Sequence, residues 1–172
     1  IELQGGYVFT NWLNAGANLS FSRNKVNSFT EYLDDYDANW EWTGQVAVEH
    51  KKSDIAFSPS VVGAATLNIL PVKNMEISLL GKYVGSQYLD NTQNEARKLN
   101  SFYTQDARVI VTLKNKLFKE WSIVGQVNNL FNKRYEPNGY AYSYVFDGTT
   151  ISDNYYFPMA GTNFMAGVNI KL

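Results

Sequence analysis

Long runs of alternating apolar and polar side chains constrain this chain more than any other feature of its sequence. Leu13, Ala15, Ala17, Leu19 and Phe21 alternate with Asn14, Gly16, Asn18, Ser20 and Ser22. Met75, Ile77, Leu79 and Tyr83 alternate with Glu76, Ser78 and Lys82. The same two-residue period links Tyr103 to Leu113, Trp121 to Asn128 and Asn163 to Leu172. A period of two belongs to strands, and no segment shows a convincing helical period. The charge-free run from Ile55 to Val72 has the length of a membrane helix, but Pro59, Gly63, Asn68 and Pro71 interrupt it. Its positions Val61, Gly63, Ala65, Leu67 and Ile69 alternate with Ser60, Thr66 and Asn68, which reads as another strand. These runs exceed the five or six residues usual in globular strands. They match the roughly 9–11 residues that a tilted strand needs to cross a bilayer.

The connections between the runs alternate in length. Thr10 to Trp12, Pro71 to Asn74 and Asn115 to Glu120 read as short turns. Phe29 to Asp54, Leu89 to Lys98 and Lys133 to Tyr155 read as longer, irregular loops. An up-and-down antiparallel meander then has all its short turns at one end and all its long loops at the other, the asymmetry of transmembrane β-barrels. The C-terminus falls at the short-turn end. Faces bearing Asp106, Arg108, Lys114, Gln126 and Asn128 cannot sit in hydrocarbon, so they must look into a wet interior or a plug. Alternation alone also suits a soluble sandwich, in which the apolar face forms the core. Trp12, Trp121, Tyr83, Tyr88, Tyr103 and Tyr156 near the expected strand ends favour the membrane reading, because aromatic girdles occupy those levels. About seven strands are expected, the first (Ile1 to Val8) cut short. Single-chain bacterial barrels have even strand numbers from about 8 upward, so the expectation is a piece of a larger barrel.

Composition narrows the function. The net charge of -1 and sequence pI near 5.8 give no basic face for nucleic acid. The chain has no cysteine, which removes disulfides, thiolate metal sites and cysteine nucleophiles. Aromatic residues make up 15% and charged residues only 18%, against about 25% charged in a typical soluble domain. Ile1 to Tyr7 lacks the basic and apolar regions of a signal peptide, as expected of a mature exported protein or an internal piece.

Three segments carry a family resemblance. The first is Asp54-Ile55-Ala56-Phe57-Ser58-Pro59 before the charge-free strand. The second runs from Gly81 through Tyr83-Val84-Gly85-Ser86-Gln87-Tyr88-Leu89-Asp90-Asn91-Thr92 to Arg97-Lys98-Leu99. The third is Asn129-Leu130-Phe131-Asn132-Lys133-Arg134-Tyr135, followed by Tyr155-Tyr156-Phe157-Pro158 and the closing Gly161-Thr162-Asn163-Phe164 strand. From Asp54 onward the chain resembles the C-terminal end of TonB-dependent outer-membrane receptors, particularly the Bacteroidetes type. The resemblance implies that residues 1–172 are the C-terminal segment of a plugged barrel of about 22 strands. It further implies a bacterial outer-membrane location and a plug domain and TonB-contacting segment outside this sequence. The implied function is energised import of a scarce, bulky nutrient: a ferric siderophore, haem or cobalamin. The partners so implied are outer-membrane lipid, the plug and remaining strands, the TonB complex and a ferric chelate or similar small ligand. Such barrels usually end in an aromatic residue, whereas this chain ends in Leu172; Gly167 and Ile170 keep the rest of the closing pattern. The alternatives are a passive porin or adhesin barrel and a soluble, aromatic-rich carbohydrate-binding sandwich.

Candidate sites follow from residue chemistry. The Phe29 to Asp54 loop carries Glu31, Asp34, Asp35, Asp37, Glu41 and Glu49 beside Trp40 and Trp42. The carboxylates could ligate calcium, but they lack the spacing, central glycine and closing glutamate of an EF-hand, and a solvated acidic loop explains them more simply. Trp40 and Trp42 are candidates for stacking on a ligand. In the last loop, Tyr140, Tyr142 and Tyr144 are the preferred ligand contacts on the family resemblance, although their alternate spacing also suits a strand extension above the membrane. His50, the only histidine, reads as a surface loop residue beside Lys51 and Lys52. Asn128, Asn129 and Asp106 read as hydrogen-bonding groups toward a plug or neighbouring strands. Nucleophile-elbow, phosphate-loop and zinc-protease patterns are missing from the sequence, so no catalytic residue, metal or cofactor is assigned and no enzyme is expected.

Overall fold

A computed structural model of the chain describes residues 1–114 and 120–171. The turn expected at Asn115 to Glu120 therefore lies almost wholly outside the described residues, as does Leu172. Seven strands form one antiparallel sheet: β1 (Glu2–Thr10), β2 (Leu13–Phe21), β5 (Val61–Val72), β6 (Met75–Val84), β9 (Phe102–Leu113), β10 (Glu120–Asn128) and β13 (Asn163–Lys171). They lie side by side in that order, each of 9–12 residues. The first strand, β1, has 9 residues and pairs with β2 along its length.

The register sorts the side chains onto two faces. Leu13, Ile69, Ile77, Val109 and Gly125 occupy one row across neighbouring strands, and Leu19, Gly63, Tyr83 and Tyr103 another. Most apolar positions of the wall strands therefore share one face, with Leu80, Ile110 and Val124 among the exceptions on the other. Phe164, Val168 and Leu3 on the shared apolar face are exposed by 76, 60 and 58%. The opposite face carries a polar row of Asn14, Asn68, Ser78, Arg108 and Gln126, in which Asn68 donates to Asn14 at 2.9 Å. A soluble sandwich would bury the apolar face under a second sheet. Here the buried apolar side chains are instead Leu33, Val84, Tyr88, Leu89, Leu99, Phe102 and Val145, at or beyond the long-loop end.

The girdle expectation holds in part. Trp12 and Trp121 stand at the short-turn end of the apolar face, and Phe21, Tyr83 and Tyr103 at the other. Tyr103 lies across Gly81, where a β-carbon would stand 2.7 Å from the tyrosine oxygen. Its hydroxyl donates to Gln105, satisfying a polar side chain that shares the apolar face. Tyr88 and Tyr156 are not girdle residues. Tyr88 is buried in the short strand β7 (Gln87–Tyr88), which pairs with β8 (Lys98–Leu99), and Tyr156 lies on a hairpin described next.

Two of the expected loops are not irregular. The first long connection folds as a hairpin of β3 (Lys25–Tyr36) and β4 (Trp42–Asp54), and the last as a hairpin of β11 (Asn138–Phe146) and β12 (Thr149–Phe157). The second turn is Asp147-Gly148, both with positive φ (45° and 73°), the pair that a two-residue hairpin turn selects. The hairpins join as a four-stranded sheet, β12-β11-β3-β4, through a short parallel contact at Val145–Asp35 and Phe146–Tyr36. This sheet and the β7–β8 segment form a cap at the long-loop end of the seven-stranded wall.

Candidate functional site

One face of the cap is an exposed aromatic ladder. On β11 the alternation of an extended strand sends Tyr140, Tyr142, Tyr144 and Phe146 to the same side. Tyr140 stacks on Tyr155 of β12 at 4.8 Å between ring centroids and lies 6.1 Å from Phe157. Tyr142 and Tyr144 are 5.8 Å apart, and Tyr144 meets Tyr36 of β3 edge-on at 6.2 Å. Trp40, at the tip of the β3–β4 hairpin, completes the ladder: its ring lies 4.3 Å from Phe146, 6.0 Å from Tyr144 and 6.1 Å from Tyr36. The structure thus brings Trp40 against Tyr144 and Phe146, a hundred positions later in the chain, with Tyr142 next in the ladder through Tyr144. Half the surface of Tyr140 and Tyr142, and 61% of Trp40, remains exposed. Trp42 is exposed too, but its indole N–H points to Asp34 (3.4 Å), and its ring makes none of the contacts of the ladder.

The tip that presents Trp40 is built locally. The Asp37 carboxylate accepts the backbone N–H groups of Asn39 (2.8 Å) and Glu41 (2.9 Å), and the Asp37 carbonyl accepts that of Trp40. Trp40 itself takes φ 63°, a conformation that non-glycine residues seldom adopt without such support. The backbone hydrogen bond from Glu41 is the main reason the Asp37 carboxyl sits below its ordinary pKa, burial opposing it only in part. The Tyr36 hydroxyl is pushed up by burial and then by the nearby Tyr142 and Asp34.

The other face of the cap centres on a side chain that the sequence reading passed over. Arg97, with only 5% of its side chain exposed, donates to Asp90 at 2.7 Å, to Glu31 of β3 at 3.0 Å and to Ser152 of β12 at 2.9 Å. Burial alone would lower its pKa, but the hydrogen bonds it donates to Asp90 and Glu31 outweigh it, so the guanidinium is held charged more firmly than in water. One residue therefore ties all three long connections together. Glu31 also bonds His50 at 2.8 Å, and His50 stacks on Phe29 at 4.8 Å. His50 is thus a half-buried strand residue of β4 rather than a loop histidine. The acidic residues are spread over separate tasks: Glu31 in the Arg97 cluster, Asp34 toward Trp42 and Gln45, Asp37 in its own turn. Among the described residues no group of three or more His, Asp or Glu side chains is gathered as a metal site requires.

The motifs that carry the resemblance do structural work. Asn129 is buried; its side chain donates to the carbonyls of Lys133 and Ala160 and accepts the Lys133 N–H. Its own backbone N–H donates to Asp106 at 2.8 Å, and its carbonyl accepts the Thr162 hydroxyl. Asn132 accepts the Thr162 N–H, and a β-carbon on Gly161 would collide with the Asn132 side-chain oxygen, so a larger residue there would have to displace this hydrogen-bonded side chain. Tyr135 stacks on Phe102 at 4.3 Å. Asn91 accepts the Ala56 N–H (2.7 Å) and Gln93 that of Asp54 (3.0 Å), joining the first motif to the second. Lys98 and Tyr88 both donate to Glu95, which keeps that carboxyl below its ordinary pKa.

The chain is an antiparallel wall with one apolar and one polar face, short turns at one end and a β-rich cap at the other. Parts of solved receptors match this arrangement. The siderophore receptor PiuA from Acinetobacter baumannii matches 98% of the chain over 21% of its own length, with 14% identity and a TM-score of 0.66. The ferric yersiniabactin uptake receptor FyuA from Yersinia pestis matches 97% over 22%, with 16% identity and a TM-score of 0.58. The ferric-catecholate import receptor Fiu from E. coli K12 matches 98% over 34%, with 10% identity and a TM-score of 0.50. The chain has the fold of a segment of these receptors and spans about a fifth of the length of the first two. No family model matches the sequence, and no curated protein matches it either.

Proposed function

We propose that this chain is the C-terminal part of the barrel of a TonB-dependent importer in a bacterial outer membrane, and that its cargo is a ferric chelate or a similarly bulky nutrient. The observation that carries the reading is the exposed aromatic ladder on a rigid cap directly above a wall whose inner face is polar. Aromatic rings give large contact area at small entropic cost, and the Arg97 cluster fixes the hairpins that display them. Tyr140, Tyr142, Tyr144 and Trp40 are the ligand contacts in this proposal, with Trp42 at its margin. The inner row from Asn14 to Gln126 then faces the plug, and β1 and β13 pair with the remaining strands of the barrel.

Uptake of radioiron chelates by cells carrying the full-length receptor tests the proposal. Import that requires both the receptor gene and an energised inner membrane supports it. Uptake that continues unchanged after the proton gradient is collapsed would instead identify a passive barrel, since only energised transport depends on TonB.

A further inference from the structure

The charges around the aromatic ladder limit what can bind there, and this inference rests on the import reading above. Residues 26–50 contain six carboxylates and no lysine or arginine; residues 135–157 contain three carboxylates and again no lysine or arginine. Asp153 lies directly across from Tyr142 in the β11–β12 register, so its carboxylate shares the ladder's face. Asp34 shares the face of Tyr36, two positions further along β3. Asp37 and Asp147 flank Trp40 and Phe146 at the two tips. The cations of the cap stand away from the rings. Arg97 is enclosed by Glu31 and Asp90, Lys25 pairs with Asp54 at 2.6 Å, and Lys98 pairs with Glu95. Lys51 and Lys52 lie at the opposite end of β4 from Trp40, where Lys51 pairs with Glu49 at 3.6 Å.

Both features of the face act in one direction. Carboxylates without neighbouring cations set up a negative potential, and the faces of aromatic rings attract positive charge through their quadrupole. A polyanion is disfavoured by each. From Tyr140 to Phe146 the ladder extends about 20 Å, long enough for a ligand to engage several rings at once. We propose that this face recognises a ligand with net positive charge and a flat apolar surface, an amine-bearing ferric chelate, and that it discriminates against polyanionic chelates.

The test compares two probes of nearly the same shape on the detergent-purified full-length receptor. One is the ferric complex of desferrioxamine B, whose free amine makes it cationic; the other is its N-acetylated, neutral form. The amine form is expected to bind about tenfold more tightly at low salt, with the gap narrowing as salt screens the carboxylates. The double variant Asp34→Asn, Asp153→Asn keeps shape and hydrogen-bonding capacity; it is expected to close the gap while leaving the acetylated form bound as before. That unchanged binding also reports that the variant is folded. Equal affinity for the two forms overturns the charge inference. So does tighter binding of ferric citrate, an anionic chelate, which would leave the import reading in place. If none of the three chelates binds, both the inference and the import of ferric chelates fall together.

Discussion

Replacing Arg97 by methionine is the most informative single perturbation of the cap, because one side chain joins three connections far apart in sequence. The guanidinium contacts Asp90, Glu31 and Ser152 within 3.0 Å. Methionine fills similar space but leaves two carboxylates without their counter-charge. Removing one partner of a fully buried pair costs about 3–5 kcal/mol. The side chains of Glu31 and Asp90 are 18 and 27% exposed, so solvent and the His50 contact soften the loss to about 2–3 kcal/mol. That penalty falls on docking of the cap, since none of the three partners belongs to the seven-stranded wall. It corresponds to about a 30- to 150-fold rise in local opening. Hydrogen exchange on the full-length protein reads it directly. The amides of Leu89 and Arg97 and those along β12 are expected to exchange faster by that factor, while amides of β10 keep their rates. Arg97→Lys is expected to fall between the two, because one ammonium cannot span all three acceptors. Adding Glu31→Gln and Asp90→Asn to Arg97→Met should restore much of the protection, since no unpaired charge then remains. A rise below threefold in the single variant would refute the argument that this cluster holds the cap together.

Three further outcomes follow from other parts of the molecule. Trp40→Ala removes the ring contacts that close the two hairpin tips, with an expected loss of about 1–2 kcal/mol seen as faster exchange at the tips and as weaker ligand binding. The Asp37 carboxyl is depressed in the folded tip, so its contribution is present above the ordinary carboxylate pKa and is lost as pH falls through the depressed value. Protection of the Asn39 and Glu41 amides should hold through neutral and mildly acidic pH and drop only below the usual carboxylate range, a dependence that Asp37→Asn abolishes. Arginine at Val168, in the middle of the apolar face of β13, should cost about 2–4 kcal/mol of folding stability in a bilayer, whereas arginine at Asn169 on the opposite face should cost little. Gel mobility of heated and unheated protein reports the folded fraction, and equal losses at the two positions would invert or void the assignment of faces.

Much of the wall was legible in the chain itself. The two-residue period is a geometric property of an extended backbone, so alternation at Leu13 to Phe21 or Met75 to Tyr83 names a strand and its two faces without tertiary information. Short turns at Asn11-Trp12 and Lys73-Asn74 fix neighbouring strands as antiparallel and adjacent, and the register follows. The Asp147-Gly148 turn was equally readable as a hairpin signal, flanked by the alternation of Tyr140, Tyr142 and Tyr144 on one side. The length of the connection suggests an irregular loop, but its turn chemistry decides for a hairpin.

The sequence by itself determined the number, order and faces of the seven wall strands and the candidate aromatic residues, since each depends on neighbours a few positions apart. Tertiary structure alone decided which of those residues act together. Trp40 meets Phe146 and Tyr144, and Arg97 finds Glu31, Asp90 and Ser152, only because two hairpins and a third connection converge at one end of the wall. Apart from the local Arg97–Asp90 pair, those contacts span 55 residues to more than a hundred, and no local pattern in a single sequence encodes which distant charge will be enclosed by which. The same holds for Tyr88, whose place near a strand end suggested a membrane girdle but whose ring is buried in the cap, where Glu95 accepts its hydroxyl.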